Sequence, residues 1–173
     1  MKATRATLAI DVGASKIAGA LISDSLEILH HEIVPSRSEL YGDADPDLAI
    51  TKTLINSLLQ VAKEKSLKVD KGGACFAEYV TPEQYLNSKD QIAWSLQPKE
   101  DFAALTGFDW VIESDVRAMA LAEAYACQLK DFLFVCTSIY SHVLRDVITI
   151  SFSGSHPSQL LFVLLTKIDP GLF

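Results

Sequence analysis

The segment from Leu8 to Asp24 constrains the fold more than any other part of this chain. It carries an apolar run ending in Asp11, a turn of small residues (Gly13-Ala14-Ser15), then Lys16 and a second apolar run. Two such runs joined by residues that accept tight backbone predict a β-hairpin. A third strand follows the turn Ser23-Asp24-Ser25, so the chain is expected to open as an antiparallel meander over 7–11, 16–23 and 27–34. The hairpin also has chemical content. Small residues let backbone approach a ligand, turn N–H groups form an anion-binding concavity, and a neighbouring carboxylate suits a hard cation such as Mg²⁺. Two plainer readings stand beside this one: Asp11 as a strand-ending residue that caps the turn, and Lys16 as an outward-facing strand lysine.

Past the meander, Asp45 and Pro46 are helix-start signals, Asp45 as the cap and Pro46 in the first turn. Leu48, Ile55, Leu58, Leu59 and Ala62 then recur near helical period as far as Lys65. Lys71-Gly72-Gly73 interrupts the pattern before a short strand over 74–77. Residues 78–98 read as an irregular loop, of a length that is either functional or loosely ordered. A short helix over 99–106 ending at Gly107, a strand over 109–113 and an Ala-rich helix over 115–127 come next. Two apolar strands over 132–137 and 143–151 complete the readable pattern. A meander followed by alternating helices and strands predicts a mixed α/β sheet with flanking helices. No GxGxxG follows the first strand, and Gly13-Ala14-Ser15-Lys16 lacks the glycine that precedes the lysine of a Walker A loop.

With 49% apolar and 21% charged residues, the 173-residue chain belongs with globular rather than disordered sequences. Its net charge of −7, with Lys and Arg scattered, argues against nucleic-acid binding. Local donors can still hold phosphate on an acidic protein. Cys75, Cys127 and Cys136 form no CxxC pair, and His30, His31, His142 and His156 have no ligand company, so neither disulfides nor a zinc site is expected. Asp11 and Lys16 interrupt the apolar run a signal peptide would need, and residues 160–165 are too few to span a bilayer. A cytoplasmic protein without membrane contact is expected.

Two separated stretches carry a family resemblance. Asp11-Val12-Gly13-Ala14-Ser15-Lys16 resembles the phosphate motif D-[IV]-G-G-T-K of the ROK family (repressors, unknown reading frames and sugar kinases) in the actin-like ATPase superfamily. Glu113-Ser114-Asp115-Val116-Arg117-Ala118 is similar to that family's E-N-D-A-N-A catalytic segment. The segment 74–83 is similar to the place of the family's Gly-rich stretch, and 132–135 to the strand that opens its second lobe. The resemblance takes in roughly residues 6–150, the N-terminal half of the family.

That resemblance implies an actin-like ATPase (ribonuclease H-like) N-terminal lobe over 1–127 and a truncated or divergent start of the second lobe over 128–173. It implies an ATP-dependent sugar kinase lineage with ATP and Mg²⁺ as cofactors and a hexose or amino sugar as substrate. Asp115 would be the general base, Asp11 would hold Mg²⁺ on the ATP phosphates, and Gly13, Ser15 and Lys16 would meet a phosphate. Ser114 and Glu78 would lie at the sugar. Asp115 also reads as an ordinary helix N-cap, Glu113 as either site or scaffold, and Glu123 as a solvated glutamate. The carboxylates of Asp11 and Asp115 are expected to converge at the carboxyl ends of neighbouring strands.

Several positions depart from the family's pattern. Ser114 and Arg117 stand where the family has Asn, and Glu78 and Tyr79 where small glycines admit the sugar. Thr137-Ser138-Ile139-Tyr140-Ser141-His142 replaces its G-T-G-x-G loop, and its C-x-C-G-x-x-G-C zinc motif is missing. Little kinase activity is therefore expected of the chain alone, and a non-catalytic sugar-binding or oligomerisation remnant is the competing expectation. The repressor type is not expected, because the first strand begins by Thr7, and homo-oligomerisation through exposed apolar surface is.

Overall fold

The computed structural model describes residues 4–36, 46–87, 94, 97–128, 132–140 and 143–152. Strands β1 (Arg5–Val12), β2 (Lys16–Ser23) and β3 (Ile28–Pro35) form the expected antiparallel meander. Helix α1 (Pro46–Glu64) then carries the chain to β4 (Lys68–Phe76), which runs parallel to β1. Helix α2 (Pro98–Thr106) leads to β5 (Trp110–Ser114), parallel to β4. The result is one mixed five-stranded sheet in the order β3-β2-β1-β4-β5. Helix α3 (Asp115–Ala126) follows β5 directly, and β6 (Phe132–Tyr140) pairs with β7 (Val143–Phe152) in a separate antiparallel ribbon. The expected helix cap Asp45 lies outside the described residues. Among the described residues no helix is long and apolar enough to cross a membrane.

Side-chain alternation assigns the two faces of the sheet. Leu8, Ile10 and Val12 of β1, Ile17 and Leu21 of β2, and Ala74 and Phe76 of β4 share a core with Leu54, Ile55 and Leu58 of α1. Ala9, Ala18, Ala20, Ile22 and Cys75 belong to the opposite face, in a second core with Ala118 and Leu121 of α3. The hydrophobic residues that β1 and β2 bury on this second face are alanines except for Ile22.

Beneath α2 the larger core is aromatic. Trp94 meets Phe76 edge-on at 5.3 Å, and Phe102 lies 5.8 Å from Trp94 and 4.8 Å from Trp110, centroid to centroid. Strand β4 begins at Lys68, well before the strand expected over 74–77, because Lys68 and Val69 pair with Arg5 and Ala6 of β1 and Gly72 pairs with Trp110 of β5. A Cβ on Gly72 would lie 2.6 Å from the Trp110 ring, so the glycine that reads as a breaker is the residue the indole packs upon.

Residues 77–87 are also more ordered than the sequence suggests. Val80 and Leu86 form an antiparallel bridge and are both buried, and Asn87 N–H donates to the Tyr79 carbonyl at 2.9 Å. The Gln84 side chain accepts from Ile112 N–H at 3.2 Å, covering part of the β5 edge.

The end of α2 gives a direct test of backbone chemistry. Gly107 adopts φ 76° and its N–H donates to the Ala103 carbonyl, closing the helix in the left-handed conformation. An added Cβ would meet nothing within 4 Å, so only the backbone preference opposes substitution. Gly107→Ala is expected to lower stability by about 1 kcal/mol in urea denaturation. An unchanged midpoint would remove the argument for a left-handed cap.

Candidate active site

Strands β1, β4 and β5 are mutually parallel, so their carboxyl ends lie on one edge of the sheet. Register places Asp11 opposite Cys75 and Cys75 opposite Glu113, each the penultimate residue of its strand. These three residues therefore form a row on the face covered by α3. Asp11 and Asp115 come together at this edge, but not from neighbouring strands: β4 lies between them. Topology is the reason, because the crossover through α1 inserts β4 against β1, and β5 then adds to its far side.

Asp11 is buried, and Cys75 Sγ donates to its Oδ1 at 3.1 Å. Burial pushes the Cys75 thiol well up from its ordinary range, and the charge of Asp11, its acceptance of the thiol proton, and the charges of Asp115 and Glu113 push it further. Cys75 is thus a neutral donor across the physiological range.

Asp115 is the first residue of α3, immediately after β5. Burial pushes its carboxyl up to about 6, and the charges of Asp11 and Glu78 act in the same direction. Val116 N–H donates to Asp115 Oδ1 at 2.7 Å and opposes that rise. Three carboxylates, Asp11, Glu78 and Asp115, are therefore close enough to share one electrostatic environment. A carboxyl group titrating just below neutrality is ionised at pH 7 yet retains proton affinity, the condition a general base needs.

The N-cap role does not fall to Asp115. Ser114 has extended backbone, and its Oγ accepts from Arg117 N–H at 3.4 Å, so Ser114 is the cap. Glu113 Oε1 accepts from Ser114 N–H at 2.9 Å, and its Oε2 lies 3.2 Å from Arg117 Nη2. Burial raises the Glu113 carboxyl, with the Ser114 N–H and the Arg117 charge opposing. Glu113 and Arg117 thus brace the first turn of α3, which carries Asp115. Glu123 is exposed on the same helix.

The β1–β2 turn is closed by Gly13 N–H donating to the Lys16 carbonyl at 3.0 Å, and the exposed Ser15 accepts through its carbonyl from Ser36 N–H at 3.0 Å. Lys16 is half-buried at the start of β2. The turn follows Asp11 by two residues and so belongs to the same edge of the sheet. Glu78 lies two residues beyond β4 and is 7% exposed, whereas its neighbour Tyr79 is 59% exposed. Ala77 N–H donates to the Val12 carbonyl at 3.0 Å, tying the Glu78 segment to the end of β1. Cys75 is the site neighbour that sequence reasoning did not find, since its place depends on the pairing of strands far apart in the chain.

Among the described residues, no three His, Cys, Asp or Glu side chains are grouped to hold a metal by themselves. Asp11 presents hard oxygen donors, which suit Mg²⁺ bound through one or two carboxylates and completed by phosphate oxygens and water.

The mixed five-stranded sheet with its flanking helices is an actin-like ATPase (ribonuclease H-like) fold, shared with the ROK structures it resembles. The chain belongs to the ROK family, whose family model matches residues 7–139. Among solved structures it is similar to a ROK family transcriptional regulator, a homologue of the Escherichia coli MLC protein, with TM-score 0.68, 17% identity and coverage of 87% of this chain and 37% of that one. It is similar to a ROK family glucokinase from Streptomyces griseus, in complex with glucose and AMPPNP, with TM-score 0.59, 20% identity and coverage of 86% and 49%. A ROK hexokinase from Thermus thermophilus matches with TM-score 0.61, 16% identity and coverage of 86% and 47%. At these identities the likeness shows the fold. The chain spans half or less of the length of these structures. No curated protein matches it significantly.

Proposed function

We propose that this chain is the lobe of an ATP-dependent sugar kinase that carries the general base and one side of the phosphate site. The observation that supports this most is the pairing of Asp115, raised to about 6 at the start of α3, with Asp11 on the same edge of the sheet. When bound, Mg·ATP supplies the γ-phosphoryl group that is transferred. Asp115 would accept the proton of a hexose or amino-sugar hydroxyl as that oxygen bonds to the γ-phosphorus and the bond to the departing ADP breaks. Asp11 would face a phosphate-bound cation, and the Gly13–Lys16 turn would meet the phosphate oxygens, with Lys16 supplying a positive charge. Ser114 and Glu78 flank Asp115 and meet the sugar. Glu113 and Arg117 hold the helix turn in place and touch no reacting atom.

A second reading, a lobe that binds sugar without transferring phosphate, is favoured by the residues around Asp115. Ser114 spends its acceptor as a helix cap, Arg117 is occupied by Glu113, and the bulk of Glu78 and Tyr79 fills the segment after β4. A coupled ADP-release assay over a panel of hexoses and amino sugars separates the two readings. Sugar-dependent turnover lost by at least about 100-fold in Asp115→Asn is the kinase result, in line with the loss of a positioned base. Saturable heat with a sugar and no turnover supports the binding lobe. Turnover that survives Asp115→Asn would rule out the assigned base.

A further inference from the structure

The central residue of the acid row is the one without a charge. Cys75 is 3% exposed, lies between Asp11 and Glu113 in register, and directs its thiol proton at Asp11 Oδ1, 3.1 Å away. We propose that Cys75 is the positioning residue for Asp11, its S–H fixing the carboxylate in the rotamer that meets a phosphate-bound cation. The inference rests on the reading of Asp11 as the phosphate-side carboxylate.

A buried carboxylate needs donors, and the choice of donor decides what else the carboxylate can do. A lysine here would neutralise Asp11 and compete with an incoming cation. A serine would keep a donor to Asp11 but place a more polar hydroxyl in the apolar core beneath α3. A thiol donates one weak hydrogen bond, adds no charge, and packs as a small hydrophobe against the α3 core that Cys75 shares with Ala118 and Leu121.

Two near-isosteric variants separate a positioning role from a packing role because they predict opposite orders. Cys75→Val keeps the apolar volume and removes the donor, whereas Cys75→Ser keeps a donor and puts a hydroxyl into an apolar core. Titration calorimetry of the full chain with ATP in the presence of Mg²⁺, alongside urea denaturation, reads both properties. Positioning predicts that Cys75→Val, although it keeps the apolar volume, weakens Mg·ATP binding about tenfold, while Cys75→Ser binds within about threefold of the parent even where it is the less stable of the two. If binding instead follows stability, with the valine variant equal to the parent and the serine variant weaker, Cys75 is a packing residue and the proposal is overturned. Asp11→Asn is the reference. Where it abolishes binding and the valine variant does not weaken it, the role of Asp11 stands and only the inference about Cys75 fails. Where Asp11→Asn binds like the parent, or the parent does not bind Mg·ATP, the reading of Asp11 fails and the positioning role falls with it.

Discussion

Asp115→Asn is expected to make this chain more stable at pH 8 and to leave its stability unchanged at pH 3.5. Burial and the charges of Asp11 and Glu78 raise the Asp115 carboxyl from 3.8 to about 6 in the folded chain. Below about pH 3.8 both folded and unfolded chains carry the proton, and ionisation costs nothing. Between about 4 and 6 the unfolded chain gives up its proton while the folded chain keeps it, so stability falls as pH rises. Above about pH 6 the full penalty applies, up to about 3 kcal/mol for a shift of about two units. Asparagine never ionises, and its carbonyl can still accept from Val116 N–H, so the variant escapes the penalty without losing that bond. The thermal midpoint should therefore rise by several degrees at pH 8 and converge with the parent's in acid. Equal midpoints at pH 8 would show that Asp115 is well solvated and that no electrostatic strain is stored there. A variant that gains stability while losing turnover is the behaviour expected where a group is kept in an unfavourable state for chemistry.

The largest destabilisation is expected from Trp110→Ala. Trp110 is 2% exposed, stacks among Phe102 and Phe108, and its Nε1–H donates to Thr106 Oγ1 at 2.9 Å. Removing the indole should cost about 3–5 kcal/mol, a large share of the total stability of a domain this size. The packing of Gly72 against the same ring makes a sharper test possible. Gly72→Ala alone should be destabilising, because its Cβ would lie 2.6 Å from the indole, and the ring is also packed against Phe102 and Phe108. In the Trp110→Ala background that methyl group enters the space the ring has left. The double variant should thus be more stable than the sum of the single effects predicts, by at least about 1 kcal/mol in urea denaturation. Strict additivity would mean that Gly72 and Trp110 do not share the packing described.

The parts of the fold that were legible in the sequence are those governed by local chemistry. The meander follows from apolar runs separated by small turn residues, and the end of α2 from a glycine that can take positive φ. What escaped was set by distant partners. Gly72 reads as a breaker because nothing nearby reveals the ring of Trp110, 38 residues later in the sequence. The segment after β4 reads as irregular because its order comes from Val80 and Leu86 entering the core and from Gln84 reaching the backbone of β5. The motifs located Asp11 and Asp115, but the insertion of β4 between their strands is a property of topology. Cys75 carried no signal of its own, since only strand register brings it opposite Asp11.

The acid row is assembled wholly from non-local contacts. Cys75 and Asp11 are 64 positions apart, and Glu113 joins them only after α1, β4 and α2 are in place. The loop-closure entropy of such pairings is met only as the sheet completes, so ligand competence should emerge with the last cooperative step of folding. A molecule recognising that edge would act as a chaperone for the assembled sheet, drawing the population toward the folded chain by mass action.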